Sequence, residues 1–159
     1  MEITTLMGDP NFEIIMKLVA ALFLGMSLGI ERAIAGKTAG MRTHGLVTMG
    51  STLFTIVAVI AAGGYASEAA LRESIRFTSQ VLPGIGFIGA GLIFFKGEKV
   101  SGVTTAAGIW VAAGIGVAIG YGLYILAVIA TIFSLIVFTG FWYIENRLKM
   151  FAHLEAEEQ

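Results

Sequence analysis

The sequence predicts an all-α membrane protein of five transmembrane helices, and three observations carry that expectation. Five apolar segments follow one another with short polar stretches between them. Hydrophobic residues make up 57% of the 159 residues and charged residues 13%, against roughly 45–50% and about 25% in a soluble domain. A soluble fold of this length buries too small a share of its area to hide so much apolar surface. The 21 glycines suit helices that pack closely in lipid, where small residues let backbones approach.

The first segment covers residues 14–33 and is interrupted only by Lys17 near its start. The preceding stretch lacks the basic n-region of a cleavable signal peptide, so this segment reads as a retained span. The second, residues 44–62, carries no charge. The third, residues 80–95, is Gly-rich and short of the roughly 20 residues that a span needs. The semi-polar residues 71–79 before it read as an interfacial helix. The fourth and fifth segments, residues 103–119 and 123–143, are joined by Gly120-Tyr121-Gly122, a tight turn that makes them an antiparallel hairpin. Residues 1–145 thus form the bundle, and residues 146–159 a short polar tail.

Five spans place the termini on opposite sides, and basic residues decide which. With the N-terminus outside, the inner segments hold seven basic residues (Arg32, Lys37, Arg42, Lys96, Lys99, Arg147 and Lys149). The outer side holds three, Lys17, Arg72 and Arg76. The expectation is therefore N-outside and C-inside, with Trp142 and Tyr143 as an inner interfacial anchor.

Several function classes drop out. With no cysteine there is neither a disulfide framework nor a thiolate metal site. A net charge of −1 offers nucleic acid no footprint. Gly84-Ile-Gly86-Phe-Ile-Gly89 matches the dinucleotide fingerprint in letters only. It lies within an apolar helix, with Ile109 where an acidic residue belongs. Gly86 and Gly89 read instead as a helix-packing face. Gly25-x3-Gly29 and Gly116-x3-Gly120 are further small-residue faces, and they predict helix contacts and a homodimer.

The polar residues at the inner ends of the spans are more informative. Glu31 and Arg32 end the first span, and ionisable groups at membrane depth are costly unless paired or facing a polar interior. Arg42-Thr43-His44 opens the second span, and Ser101-Gly102-Val103-Thr104-Thr105 opens the fourth. Thr43 and Thr104 stand where N-caps are expected, and both helix N-termini direct positive potential into the same layer. The sequence thus predicts one polar, ligand-binding pocket of Glu31, Arg32, Arg42, Thr43, His44, Thr104 and Thr105. Arg42 is the favoured partner of Glu31 and Arg32 the second choice. The plainer alternative is a snorkelling end-of-helix pair with simple capping.

On the outer side, Glu68, Arg72, Glu73 and Arg76 fall at helical spacing and read as a solvated face. Gln80 sits deeper and is a candidate for a bond across helices. Trp110, in the fourth span, is expected to pack in the core.

Four ordered motifs then resemble a known family. They are Gly25-x3-Gly29-Ile30-Glu31-Arg32; Ala39-Gly40-Met41-Arg42-Thr43-His44; Gly84-Ile-Gly86-Phe-Ile-Gly89-Ala-Gly91; and Gly102-Val-Thr104-Thr105 running to Trp110. Across about residues 14–140 the chain resembles the MgtC/SapB family of bacterial membrane proteins. The resemblance implies a multi-pass inner-membrane protein tied to magnesium homeostasis, low-magnesium adaptation and, in pathogens, virulence. Members have been discussed as magnesium transporters and as regulators of other membrane proteins, including ATP synthase and cation pumps. Two departures stand out. Many members carry a cytosolic domain after the last span, where this sequence has a short tail. Pro83 also replaces an expected small residue and is predicted to break or kink the third helix locally.

The residues favour a non-catalytic regulator acting through the pocket and through helix contacts, with no cofactor or metal. A transporter or channel for Mg²⁺ or another small solute is the alternative. Mg²⁺ takes octahedral oxygen ligands, commonly including one or two carboxylates. Glu31 is the one plausible candidate, and it sits beside Arg32. No nucleophile–base arrangement supports an enzyme.

Overall fold

The computed structural model describes residues 9–141. The predicted anchor at Trp142 and Tyr143, and the polar tail, lie outside them.

Helix α1 (Pro10–Ile34) starts where Asp9 accepts a 2.9 Å bond from the Asn11 N–H, with Pro10 in the first turn. That position suits proline, whose missing N–H has no helical partner there. Lys17 is buried but pairs with Glu13 one turn earlier at 2.8 Å. Helix α2 (Met41–Ala61) runs back against α1, and α5 (Val103–Gly120) completes a central trio. Helices α1, α2 and α5 are each long and apolar enough to cross a membrane. Helix α6 (Tyr124–Ile136) follows the turn at Gly122 and ends in a π-helical turn, Val137–Phe141. The chain is a helical membrane protein.

Glycines fix how closely the trio packs. A Cβ on Gly25 would lie 2.7 Å from the His44 carbonyl oxygen, and one on Gly29 only 2.6 Å from the Met41 nitrogen. On the other side of α2, a Cβ on Gly116 would strike the Thr48 carbonyl, and one on Gly120 the Thr55 side chain. The glycine faces predicted around 25–29 and 116–120 therefore pack within one chain, and they no longer supply a reason for a dimer. Between them α2 presents Thr48, Ser51, Thr52 and Thr55, all buried. Thr48 and Thr55 donate to carbonyls one turn back, at 2.9 and 2.8 Å. The Thr52 hydroxyl reaches the Gly116 carbonyl of α5 at 2.7 Å. Ala21, Leu28, Ala112, Ile115 and Ile119 fill the remaining core.

The third segment departs from expectation. The predicted interfacial helix exists as α3 (Glu68–Thr78), capped by Ser67, with exposed pairs Glu68–Arg72 and Glu73–Arg76 at 2.6 Å each. The helix after it, α4 (Val81–Gly91), stops before the expected Phe95. Phe94 and Phe95 belong to strand β1 (Phe94–Lys96), which pairs antiparallel with β2 (Lys99–Ser101) through a turn at Gly97. The all-α expectation thus gains a small hairpin. The third segment breaks at Ser79–Gln80, and Pro83 lies in the first turn of α4 just beyond, so the local disruption expected at Pro83 is a break and not a kink within α4. The Ser79 carbonyl, which Pro83 cannot serve, accepts from the Leu82 N–H at 3.3 Å. At this end of the bundle the Tyr121 hydroxyl bonds Thr78 at 2.9 Å, tying the α5–α6 turn to α3.

Three further expectations need correction. Trp110 is 53% exposed and faces outward, because the buried face of α5 is made by Thr105, Gly108, Ile109 and Ala112. Gly86 meets nothing within 4 Å, whereas Gly89 rests on Ala106 at 3.7 Å. Gln80 is exposed at the α3–α4 junction rather than sunk between helices.

Candidate functional site

The end of the bundle opposite Tyr121 collects the C-terminus of α1, the N-termini of α2 and α5, and the π turn after α6. Arg32 points inward there and is only 3% exposed. Its Nε bonds the Glu31 carboxylate, and its guanidinium lies 3.9 Å from the centre of the Phe138 ring. One guanidinium nitrogen also stands 3.5 Å from the Phe138 carbonyl oxygen. The charge is thus paired, stacked on a π face and withdrawn from solvent together. The π turn inserts an extra residue into the helical register, a device frequent at functional sites, and Phe138 within it is buried.

His44 lies fully buried beside this pair. Its Nδ1 is 3.1 Å from the Gly40 carbonyl, so Nδ1 carries the proton and Nε2 presents a lone pair. That Nε2 has no hydrogen-bond partner among the described residues. It faces α5 at Gly108, where a Cβ would lie 3.4 Å from Nε2 and 2.8 Å from Phe138. Glycine at 108 lets α5 pass both rings. Thr105, one turn earlier on α5, is buried too.

The predicted pocket therefore divides. Glu31, Arg32 and His44 come together, and Thr105 stands on the buried face of α5 one turn from Gly108. Arg42 and Thr104 are exposed and Thr43 is half-buried. Arg32, the second choice, is the partner of Glu31 in place of Arg42. The N-caps are Gly40 and Gly102, without side-chain caps, so Thr43 and Thr104 lie inside the first turns of their helices. Gly102 adopts φ +90°, and a Cβ there would collide with the Leu92 carbonyl, which excludes a threonine cap. Sequence reasoning missed Gly108, Phe138 and the hydroxyl row of α2. Only the last had a signal, Thr or Ser at 48, 51, 52 and 55, which is one helix face.

Chemically, the site is a closed charge pair with a free acceptor beside it. Glu31 has its carboxylate engaged by a guanidinium. The arrangement suits holding helices in register, with the His44 Nε2 enclosed and unpaired among the described residues.

These features define a class: a helical membrane protein that keeps an ion pair and a histidine inside one end of its bundle. Residues 18–147 match the MgtC family, and the chain belongs to it. SrpB of Synechococcus elongatus is 43% identical over 133 residues, which are 79% of this chain and 72% of SrpB. The putative magnesium transporter YhiD of Escherichia coli is 41% identical over 140 residues, 86% of this chain and 64% of YhiD. Protein MgtC of Brucella abortus is 38% identical over 120 residues, and the match spans 48% of its length. No solved structure matches the chain.

Proposed function

We propose that this chain is a non-catalytic regulator in a bacterial inner membrane, linked to magnesium homeostasis and low-magnesium adaptation. It works through the Glu31–Arg32–His44 cluster and through helix contacts with other membrane proteins, for which ATP synthase and cation pumps are candidate classes. Five spans, with the N-terminus outside, put the cluster at the cytoplasmic face. The observation that carries this reading is the closure of Glu31 by Arg32. A dehydrated Mg²⁺ needs several hard oxygen ligands, and the carboxylate at depth is held by a cation instead. The magnesium link rests on the names of the relatives YhiD and MgtC. The name of YhiD also favours a second reading, a Mg²⁺ transporter.

Purified chain in proteoliposomes separates the two. The regulator shows no saturable Mg²⁺ flux above empty vesicles. Saturable flux that Glu31→Gln abolishes makes the transporter the correct reading. Topology is tested on the cysteine-free background. Single cysteines at Gly36 and Lys99 label from the cytoplasmic side, and labelling from opposite sides ends the five-span arrangement.

A further inference from the structure

The β1–β2 hairpin stands clear of the bundle. Every residue from Phe94 to Val100 is exposed. Gly97, at φ +65°, and Glu98 form its two-residue turn, with glycine at the position that matches the twist of paired strands. A two-stranded hairpin with no surface to rest on is marginally stable at best in water. Its side chains divide by chemistry. Phe95 and Val100 pair across the ladder and share one face, 77% and 52% exposed. Lys96 and Lys99 pair next to the turn on the opposite face. Like charges set directly opposite each other destabilise a strand pair, so the two lysines call for an anion.

The place of the hairpin says what supplies it. Only Gly102 separates β2 from α5, a helix long and apolar enough to span. The 18 residues of α5 rise about 27 Å, close to the hydrocarbon thickness of about 30 Å. Its N-terminus, and the hairpin fixed to it, therefore lie where acyl chains meet headgroups. The two ends of the bundle also treat basic residues differently. At the far end Lys17, Arg72 and Arg76 each pair with a glutamate of this chain. At the hairpin end Lys37, Arg42, Lys96 and Lys99 are exposed, and none has a carboxylate partner among the described residues, Glu98 of the turn included.

We propose that the hairpin is a site for anionic lipid. Phe95 and Val100 enter the acyl boundary, and Lys96 and Lys99 together hold the phosphate of an anionic headgroup, so the chain gathers anionic over zwitterionic lipid at this end. Amphipathic surface elements rest on a bilayer in this way, apolar face down and cationic groups among the headgroups. The phosphate also relieves the repulsion between the paired lysines. An acidic protein segment would match the lysines but leave Phe95 and Val100 in water. A second copy docked face to face would set lysines against lysines. The inference needs α5 to be a span and takes nothing from the reading of the Glu31–Arg32–His44 cluster.

Fluorescence quenching tests it in the full chain, which has no native cysteine. Val100→Cys carries a bimane label in vesicles of mixed phosphatidylcholine and phosphatidylglycerol, with brominated acyl chains on one lipid or the other. Brominated chains quench the label and aqueous iodide does not. Brominated phosphatidylglycerol quenches as though enriched about fivefold beside the hairpin, the scale of one lysine's attraction to an anionic surface. Lys96→Gln with Lys99→Gln, both at exposed positions, removes the enrichment while the label stays in the bilayer. Lys96→Arg with Lys99→Arg keeps it. Equal quenching by the two lipids with both lysines present overturns the proposal, and so does enrichment that survives the glutamine pair. A label open to iodide, or shielded from both quenchers by a protein partner or a second copy, overturns it as well.

Discussion

The α1–α2–α5 trio and the α3–α4–hairpin region contain the same kind of residue and use it differently. In the trio, Gly25, Gly29, Gly116 and Gly120 each face a backbone or side chain that leaves no room for a Cβ. In α4, Gly84, Gly86 and Gly91 face open space. A glycine costs a helix interior about 1 kcal/mol relative to alanine, and in the trio close packing offsets that cost. In α4 no neighbouring group among the described residues does the same at Gly84, Gly86 or Gly91. The buried α2 threonines and the Glu31–Arg32 pair find partners inside the trio, whereas His44 Nε2 and the Ser51 hydroxyl, both buried, have none among the described residues.

The largest expected effect breaks this comparison if it fails. Gly116→Leu forces a side chain into the Thr48 carbonyl, a clash beyond the 1–3 kcal/mol typical of overpacking, and the protein should not fold. Gly86→Leu meets nothing and should leave the melting temperature in detergent unchanged or slightly raised. Equal damage from the two would show that α4 is packed on that face as tightly as the trio. Next in size is Glu31→Gln, which leaves the Arg32 guanidinium buried without its counter-charge. Breaking a deeply buried pair costs about 3–5 kcal/mol. With the Glu31 side chain 18% exposed, the loss in denaturant titration should fall below that range. Thr52→Val removes the hydroxyl bonded to the Gly116 carbonyl and should cost about 0.6 kcal/mol and no more than about 1.7, the average and the maximum for interhelical hydrogen bonds in a membrane protein. Smallest is Thr104→Ala, at an exposed position inside the first turn of α5, expected within about 0.5 kcal/mol of wild type.

Much of the trio was legible in the sequence because membrane length and charge placement act locally. The long apolar runs located α1, α2 and α5, and Glu31 and Arg32 drew notice because charge at depth needs a reason. Which face of each helix turns inward was not legible. Leucine and lipid are equally apolar, so α5 carries no stripe to orient it, and Trp110 was assigned to the core when it faces outward. The choice between Arg42 and Arg32 failed for a related reason. Side chains at i and i+1 do not face each other on a helix, so adjacency in sequence does not single out Arg32. The Arg32 side chain nonetheless turns to Glu31 while stacking on Phe138. That ring comes from a π turn 106 residues away in sequence, and no local pattern announces it. The break of the third segment into α3, α4 and a hairpin was half visible. Its length was too short for a span, but a Gly-rich apolar run does not show where its helix ends.

The central claim is that Glu31 is held inside the bundle by Arg32 and is therefore not free to bind a cation. Double-mutant cycles in the folded protein address it directly, pairing Glu31→Gln with Arg32→Gln and, separately, with Arg42→Gln. Contacting residues couple by about 0.5–3 kcal/mol, and distant ones add to within about 0.5 kcal/mol. The account predicts coupling in the first range for Arg32 and additivity for Arg42. Additivity with Arg32, or strong coupling with Arg42, would contradict it.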